Sequence, residues 1–421
     1  MFLGGEIMPS LYNNRVILHC DLNNFFASVE SFYKPELKNV PMAVCGSREE
    51  RHGIVLAKNE KAKAFGVKTA EPIWQAKNKC PNLVCVEPHY DRYVDFSRRA
   101  RAIYSDYTDM VEPFGIDECW LDVTGSSLLF GTGEEIAYKI KERIKSEIGV
   151  TISVGVSFNK IFAKLGSDLK KPDAVTVLSQ ENFKDKIWHL PADSLIGVGK
   201  STMRTLERIG LKTIGDVANC RISLLELELG KNGLELWKAV NGYDTSPVLM
   251  TDSLPKAKSY SHGTTQAKNL TNDSEVRATF VSLSERIAHN LRKDRVLASV
   301  VSISIKDERL VTIERQRKLR QPTRLVEDLV STAMELFDDN WDWHSEVRSV
   351  TIHACNFVDE NDSCQYSLFC DNAKNEKLEK LEDHVDRIRE KYGTESVIRA
   401  SAMKIKSPEQ EDAYNPFHPK I

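Results

Sequence analysis

Three acidic residues follow or interrupt apolar stretches of the chain. Asp21 comes directly after RVILHC (15–20), and Asp117 and Glu118 lie between VEPFG and CWLDV in the stretch GIDECWLD. Adjacent carboxylates repel each other and lose hydration beside apolar neighbours, so either one stays neutral or both bind a cation. A solvated turn between two strands is the plainer interpretation of the Asp-Glu pair, and it stays open at this point.

If the two apolar stretches are neighbouring strands, the three carboxylates meet at one edge of a sheet, where open sheets display functional groups. Such a cluster tolerates its own repulsion only with bound divalent cations. Two cations about 4 Å apart suit in-line phosphoryl or nucleotidyl transfer, because one activates the nucleophile and the other steadies the leaving group. Spacing alone does not establish that the acids converge.

The composition is that of a cytoplasmic, multidomain protein. A chain of 421 residues is too long for one core, so roughly two to four domains are expected. No apolar run approaches the length that spans a bilayer, and the first fourteen residues do not resemble a signal peptide. The nine cysteines lack CxxC spacing, which favours reduced thiols over disulfides or zinc.

The net charge of −3 conceals a basic segment. Between Lys256 and Arg324 the chain has 15 Lys and Arg against 7 Asp and Glu. A surplus confined to one stretch is typical of phosphate contact, although a merely solvated basic face has the same composition.

Strand and helix patterns alternate through the first 180 residues, which predicts an α+β or α/β core. Isoleucines at every fourth position from 136 to 148 predict one helix, and 90–107 predicts another. A segment of short helices with glycines follows, then a second α+β module with helices at 273–292 and 322–337. The predicted buried strands of the first module are 15–20, 41–46, 53–57 and 150–157.

Four motifs, DLNNFFASVE, GIDECWLDVTG, SVGVSFNKIFAKLGSDLKKP and LIGVGKSTMRTLERIG, occur in this order. Together they resemble the bacterial Y-family translesion DNA polymerases, of the polymerase IV and polymerase V types, over about residues 15–370. The resemblance implies an α+β multidomain right hand with a ferredoxin-like palm. Its expected parts are an N-terminal extension (1–14), palm and fingers (15–185, fingers about 35–90), a helix-hairpin-helix thumb (186–245), a linker (246–255), an α+β little finger (256–358) and a C-terminal tail (359–421).

The resemblance also implies roles for individual residues. Asp21, Asp117 and Glu118 would be catalytic and would hold two Mg²⁺ ions, or Mn²⁺ as a substitute, with the backbone carbonyl of Leu22 as a further ligand. Phe26 would be the steric gate, an aromatic ring in the space that a ribose 2′-hydroxyl would need.

Nucleotide binding is expected of Phe26 and of four further residues. Lys171 matches the lysine that contacts the β- and γ-phosphates, and a lysine is a point charge suited to a triphosphate. The others are Phe25, which as the neighbour of Phe26 is expected to pack inward, and Lys58 and Lys63 in the fingers.

Two departures from the polymerase IV pattern affect this site. Asn23 stands where a third acid is usual, and Glu60 and Lys63 stand where Tyr and Arg often bind the triphosphate. Both departures resemble the polymerase V branch, and they leave the subtype and the lesion specificity open.

DNA binding is expected of the thumb and the little finger. Gly197 and Gly199 let backbone amides approach a phosphate, and Lys200 adds charge. The little finger would grip the duplex by its backbone, without reading base edges, so binding should be sequence-independent and salt-sensitive. Its candidate residues are Lys258, Arg295, Arg317 and Arg320.

The stretch QYSLFC (365–370) resembles the motif that binds the bacterial sliding clamp, the beta clamp, through Gln365, Leu368 and Phe369. A short strand packed on the little finger is the alternative. A helix at 375–392 follows, and its heptad-like apolar residues suit folding back or binding a partner. These residues are Leu378, Leu381, Val385 and Ile388.

The resemblance implies a monomeric, template-directed, error-prone translesion polymerase. The primer 3′-OH would attack the α-phosphate of a dNTP and release pyrophosphate. A non-catalytic, clamp- and DNA-binding damage-response factor is the alternative. A nuclease or nucleotidyl cyclase with a three-acid palm would not explain the thumb motif or the clamp-like tail.

Overall fold

The computed structural model describes residues 15–47, 53–253, 256–361 and 372–402. The described residues form two compact units, and the main boundary between them falls at Lys256. The predicted N-terminal extension and the clamp-like motif with Gln365, Leu368 and Phe369 lie outside the described residues.

The first unit begins with a five-stranded sheet of order β5-β6-β1-β7-β8 and a small sheet of order β3-β2-β4. The helices and strands up to residue 178 are β1 (Ile17–Leu22), α1 (Phe25–Tyr33), β2 (Met42–Cys45), β3 (Val55–Lys58), α2 (Glu60–Ala64), α3 (Ile73–Lys79), β4 (Val84–Val86), α4 (Tyr90–Ser105), β5 (Val111–Pro113), β6 (Glu118–Asp122), α5 (Ser127–Phe130), α6 (Gly133–Arg143), β7 (Ile152–Ser157), α7 (Lys160–Leu169) and β8 (Val175–Leu178).

Strand β1 is the centre of the large sheet and is buried on both faces. Because successive side chains of a strand point to opposite faces, its even-numbered residues pack with α4 and α6, whereas its odd-numbered residues face α7. The contacts with α7 join Ile17 to Ala163, His19 to Ser167 and Asp21 to Lys164.

Helix α7 lies close to the sheet because Gly155 of β7 has no side chain. A Cβ atom at Gly155 would lie 1.9 Å from the backbone oxygen of Ala163 and 2.5 Å from the backbone nitrogen of Ser167. This close approach brings the residues of α7 within reach of the acidic end of β1.

Short helices complete the first unit, as the glycine-rich sequence predicts. Gly197 and Gly210 have positive φ angles of 89° and 83°, which most side chains rarely adopt. The apolar residues of these helices share a core with Phe162 and Leu178. The helices are α8 (Phe183–Ile187), α9 (Lys200–Arg208), α10 (Ile214–Asn219), α11 (Ile222–Leu229) and α12 (Lys231–Val240).

The second unit is a four-stranded antiparallel sheet of order β11-β10-β12-β9, with helices packed on it. The two edge strands are polar and were not predicted, and the helix predicted at 322–337 begins at Val326 because β11 extends to Thr323. Its elements are β9 (Ser259–Leu270), α13 (Asp273–Lys293), β10 (Val296–Asp307), β11 (Thr312–Thr323), α14 (Val326–Asp338), β12 (Val347–Asp359) and α15 (Asn372–Tyr392).

Helix α15 folds back onto α13, but with its acidic residues facing inward. Arg292, whose side chain is 7% exposed, donates to Glu382 at 2.6 Å and to Asp386 at 2.7 Å. Leu381 and Ile388 of the predicted apolar face are exposed instead. The packing of α15 therefore depends on buried ion pairs more than on the heptad-like pattern.

Replacing Arg292 by Met is expected to loosen α15, since it removes the cation that Glu382 and Asp386 share. Glu382 would keep its ion pair with Arg399, and Asp386 its contact with His289. We expect a loss of about 2 kcal/mol in the free energy that holds the helix in place, less than the roughly 3 to 5 kcal/mol for a buried charge left with no partner, because Arg399 and His289 remain. Hydrogen exchange of the α15 amides measures this.

Arg317→Met is the matched control, because Arg317 pairs with Glu335 and Asp339 on the surface. Its expected effect on stability is below about 1 kcal/mol. Equal protection of α15 in both variants would show that the Arg292 ion pairs do not hold the helix.

Candidate active site

The three predicted acids meet at one edge of the large sheet. Strands β1 and β6 are antiparallel, with Asp21 opposite Glu118. The backbone N–H of Leu22 donates to the carbonyl of Asp117 at 3.1 Å, so the next pair, Asp21 and Glu118, is a non-hydrogen-bonded pair whose side chains lie close together. Glu118 begins β6 and Asp117 lies in the bend between β5 and β6, so the pair does lie at a turn between two strands. Both residues are partly buried, however, so the turn is not fully solvated.

Two lysines face these acids. Lys164 Nζ lies 3.3 Å from Asp21 Oδ2 and 2.9 Å from Glu118 Oε1. Lys171 Nζ donates to the same oxygen of Asp21 at 2.7 Å and also pairs with Asp168 at 2.8 Å. The two ammonium groups therefore balance the negative charge of the acids.

Burial and mutual repulsion separate the pKa values of the three acids. Burial, together with the charge of Glu118, raises the pKa of Asp21 to about 6. Burial and the charges of Asp21 and Glu118 raise the pKa of Asp117 to about 7. Burial opposes the ionisation of Glu118 too, but His19 and Lys164 outweigh it and bring its pKa to about 2. Glu118 is thus charged at neutral pH. Ionising Asp21 and Asp117 costs free energy, and a bound cation would remove that cost.

The oxygen atoms of this site suit Mg²⁺. Among the described residues, however, no group of three or more His, Cys, Asp or Glu side chains is arranged to hold a metal ion. Carboxylate and backbone carbonyl oxygens are the ligands that Mg²⁺ takes in proteins. Glu118 Oε2 is buried and lies 3.3 Å from His19 Nε2. Lys164 lies between Asp21 and Glu118, where a cation is favoured. The acids fit a divalent ion when the ammonium groups of Lys164 and Lys171 move away from the carboxylates.

His19 was not predicted as part of this site. It is fully buried, with Nδ1 2.8 Å from Ser167 Oγ and Nε2 3.3 Å from Glu118 Oε2. Burial lowers its pKa to about 4, so it is neutral at pH 7. His19 lies two residues before Asp21 in β1 and therefore on the same face, which is the one sequence signal for its place in the site.

Asn23, the departure from the usual third acid, has a structural role. Its side chain donates to Ser153 Oγ at 2.8 Å and accepts from the backbone N–H of Asp173 at 2.8 Å. Asp173 belongs to the loop that carries Lys171. The amide therefore ties that loop to the end of β1, and a carboxylate could not make the same donor contact.

The two adjacent phenylalanines have different environments. Phe25 is 3% exposed within the core of the large sheet, so its side chain cannot reach a nucleotide, and the inward packing expected of it is what the structure has. Phe26 is half-buried and stacks on Tyr93, with ring centroids 4.1 Å apart.

The predicted lysines of the fingers lie near the small sheet. Lys58 is half-buried and donates to Thr69 Oγ1 at 3.1 Å, and burial together with Lys63 lowers its pKa. Lys63 is exposed and lies 3.6 Å from Glu60, which also accepts a hydrogen bond from Asn24 at 2.9 Å. Glu60 thus connects α2 to the turn after β1.

The predicted DNA-binding residues lie on exposed surfaces of the two units. Gly199 precedes α9 and a Cβ atom there would meet no described atom within 4 Å; Lys200, the first residue of α9, is exposed. In the second unit, Arg317 and Arg320 belong to the edge strand β11. Lys258, Arg295 and Arg320 are exposed, although Arg295 Nε lies 3.9 Å from Glu360, and Arg317 is paired with two acids.

Three segments of the chain match models of known protein families. Residues 20–168 match the model of the impB/mucB/samB family, and 257–368 match the C-terminal domain model of the same family. Residues 193–244 match the model described as the DNA polymerase-iota thumb domain.

Curated relatives are similar over nearly their full length. The chain is 52% identical to DNA polymerase IV of Acetivibrio thermocellus, across 91% of this chain and 96% of the relative. It is 37% identical to DNA polymerase IV 2 of Bacillus subtilis, across 93% and 96%. The chain belongs to the Y family of DNA polymerases.

A solved structure agrees with this assignment. A Y-family DNA polymerase chimera of Dbh and Dpo4 superposes with a TM-score of 0.72 at 25% identity, covering 82% of this chain and 99% of the chimera. The predicted family, right-hand fold and enzyme class are confirmed. None of the helices that the structure describes in this Y-family polymerase is long and apolar enough to cross a membrane.

Proposed function

We propose that this Y-family polymerase adds dNTPs to a primer 3′-OH by two-metal nucleotidyl transfer, at low fidelity and across damaged template bases. The observation that carries the proposal is that Asp21 of β1 lies opposite Glu118, the first residue of β6, with Asp117 directly before it and two lysines facing the acids. An open set of buried acids with oppositely charged neighbours is the arrangement expected where cations and phosphates bind.

The acids and the backbone carbonyl of Leu22 would hold two Mg²⁺ ions, with Mn²⁺ as a substitute. When bound, the ions would make the primer 3′-OH a better nucleophile and stabilise the charge on the departing pyrophosphate. Lys171 is partly exposed, so its ammonium can exchange Asp21 for the β- and γ-phosphates of the incoming nucleotide. Lys58 and Lys63 would add positive charge on the fingers side, without the planar geometry of an arginine.

Phe26 would act as the steric gate against the 2′-hydroxyl of a ribonucleotide. Its ring is half-buried, so one side stays accessible while the other is held by packing. Such a ring selects by excluding the larger sugar rather than by attracting the smaller one.

The thumb and the little finger would hold primer-template DNA by its phosphates. Gly197, Gly199 and Lys200 would approach the backbone at the start of α9. Lys258, Arg295, Arg317 and Arg320 are the little-finger candidates, and affinity that depends on them should fall steeply with salt. Gln365, Leu368 and Phe369 would bind the sliding clamp through a short peptide motif.

Primer extension tests this proposal. The purified protein is given Mg²⁺, dNTPs and a primed template that is either undamaged or carries one abasic site. We expect extension of both templates in the wild type, and none in the Asp117→Asn variant. Failure of a well-folded wild type to extend either template, with clamp present, would favour the alternative of a non-catalytic, clamp- and DNA-binding factor.

A further inference from the structure

A buried glutamate joins two helices beside Phe26. Glu30 is fully buried in α1, and a buried carboxylate is costly unless every oxygen is paired. Its Oε1 accepts from the hydroxyl of Tyr93 at 2.8 Å and lies 2.9 Å from Nδ1 of His89, and its Oε2 accepts from Arg92 at 3.1 Å. All three partners come from the first turn of α4 or the residue before it.

Tyr93 connects this carboxylate to the ring of Phe26. The two rings are stacked, with 4.1 Å between centroids and 9° between planes. Phe26 and Glu30 are four residues apart in α1, so they lie on the same face of the helix, one turn apart. Tyr93 bridges both, with its ring against Phe26 and its hydroxyl on Glu30.

The bridge limits how far the Phe26 ring can move away from the nucleotide side. Tyr93 is fully buried, and burial raises the pKa of its hydroxyl, which therefore remains a hydrogen-bond donor. If Tyr93 cannot turn, Phe26 cannot retreat into the space behind it, because well-packed interiors do not yield by even part of an ångström without cost. A steric barrier selects well only when it cannot be pushed back.

We propose that Glu30 is a positioning residue which fixes Tyr93 and, through it, the Phe26 ring, and so determines how strongly the enzyme excludes ribonucleotides. The inference rests on the proposed function, in which Phe26 faces the sugar of the incoming nucleotide. Glu30 touches no reacting atom in this scheme. Its effect reaches the substrate through two aromatic side chains.

The variant Tyr93→Phe tests the bridge with little disturbance, because it removes one hydroxyl and keeps the ring. Single-nucleotide incorporation is measured with dCTP and CTP opposite the same template guanine. We expect kcat/KM for CTP to rise about tenfold, in line with the loss of one hydrogen bond to a charged group, while kcat/KM for dCTP does not rise. A merely structural defect would lower both values.

Tyr104→Phe is the matched control. Tyr104 is a buried tyrosine of the same helix, and its hydroxyl makes no hydrogen bond to any described residue. We expect its selectivity for dCTP over CTP to equal that of the wild type.

Glu30→Gln is the second test variant. It keeps the shape of the side chain but places an amide N–H₂ group among hydrogen-bond donors. Its selectivity for dCTP over CTP should fall, as in Tyr93→Phe.

Two outcomes would overturn the inference in a polymerase that is active: an unchanged ratio of dCTP to CTP incorporation in Tyr93→Phe, or an equal change in Tyr104→Phe. Absence of any incorporation by the wild type would instead contradict the proposed function. The two failures are therefore distinguishable in one set of assays.

Discussion

Asp117→Asn is expected to abolish nucleotide addition and, at the same time, to stabilise the ligand-free protein. The variant removes a proposed metal ligand, and we expect a loss of about 1,000-fold or more in kcat/KM for dNTP addition. It also removes a carboxyl group whose pKa is raised to about 7 by burial and by the charges of Asp21 and Glu118. We expect the free energy of unfolding at pH 8 to increase by about 2 kcal/mol.

The sign of the pH dependence follows from the raised pKa. Between the ordinary aspartate pKa of 3.8 and the folded value of about 7, the folded protein binds the proton and the unfolded chain does not. The wild type is therefore stabilised by this proton at low pH and loses that contribution as the pH rises through 7. The difference in stability between wild type and variant should be largest at pH 8 and vanish near pH 4.

Urea unfolding in EDTA at several pH values measures this difference, and primer extension measures the activity. Asp122→Asn is the control, since Asp122 lies at the far end of β6 from Asp117 and accepts hydrogen bonds from Thr124 instead of facing the acidic cluster. Its extension activity should resemble that of the wild type. An active Asp117→Asn enzyme would refute the proposed ligand set, and a less stable one at pH 8 would refute the argument from burial.

Gly155→Ala is expected to be strongly destabilising, although it adds a single methyl group. That methyl would lie 1.9 Å from the backbone oxygen of Ala163, and a backbone atom cannot turn aside as a flexible side chain can. Helix α7 would have to move away from the sheet. We expect the free energy of unfolding to fall by about 3 kcal/mol or more.

The same displacement would carry Lys164 away from Asp21 and Glu118, so activity should fall even in the folded fraction. Urea unfolding and primer extension at low temperature measure the two effects. Gly125→Ala is the control, because a Cβ atom there meets no described atom within 4 Å and its φ is not positive. Comparable stability of the two variants would contradict the close packing of α7 on β7.

Much of the site could be predicted from the sequence because its signals are local. Asp21 lies near the end of an apolar strand, and Glu118, directly after Asp117, begins another. Apolar periodicity predicted the central strands and the helix around Ile140. The motifs in their order identified the family and its fold. The basic surplus between Lys256 and Arg324 was also visible, since it requires only counting.

Other features depended on contacts between distant parts of the chain. Lys164 meets Asp21 across 143 positions, Asn23 meets Asp173 across 150, and Glu30 meets Tyr93 across 63. Strands β9 and β11 escaped prediction because edge strands expose polar side chains. Leu381 and Ile388 of the predicted apolar face of α15 are exposed because Arg292 draws the acids of this helix inward. The sequence by itself determined which groups can ionise and which stretches must be buried. The tertiary structure alone decided which charges meet, because a pair's energy depends on its separation and burial, and neither exists until the chain has folded.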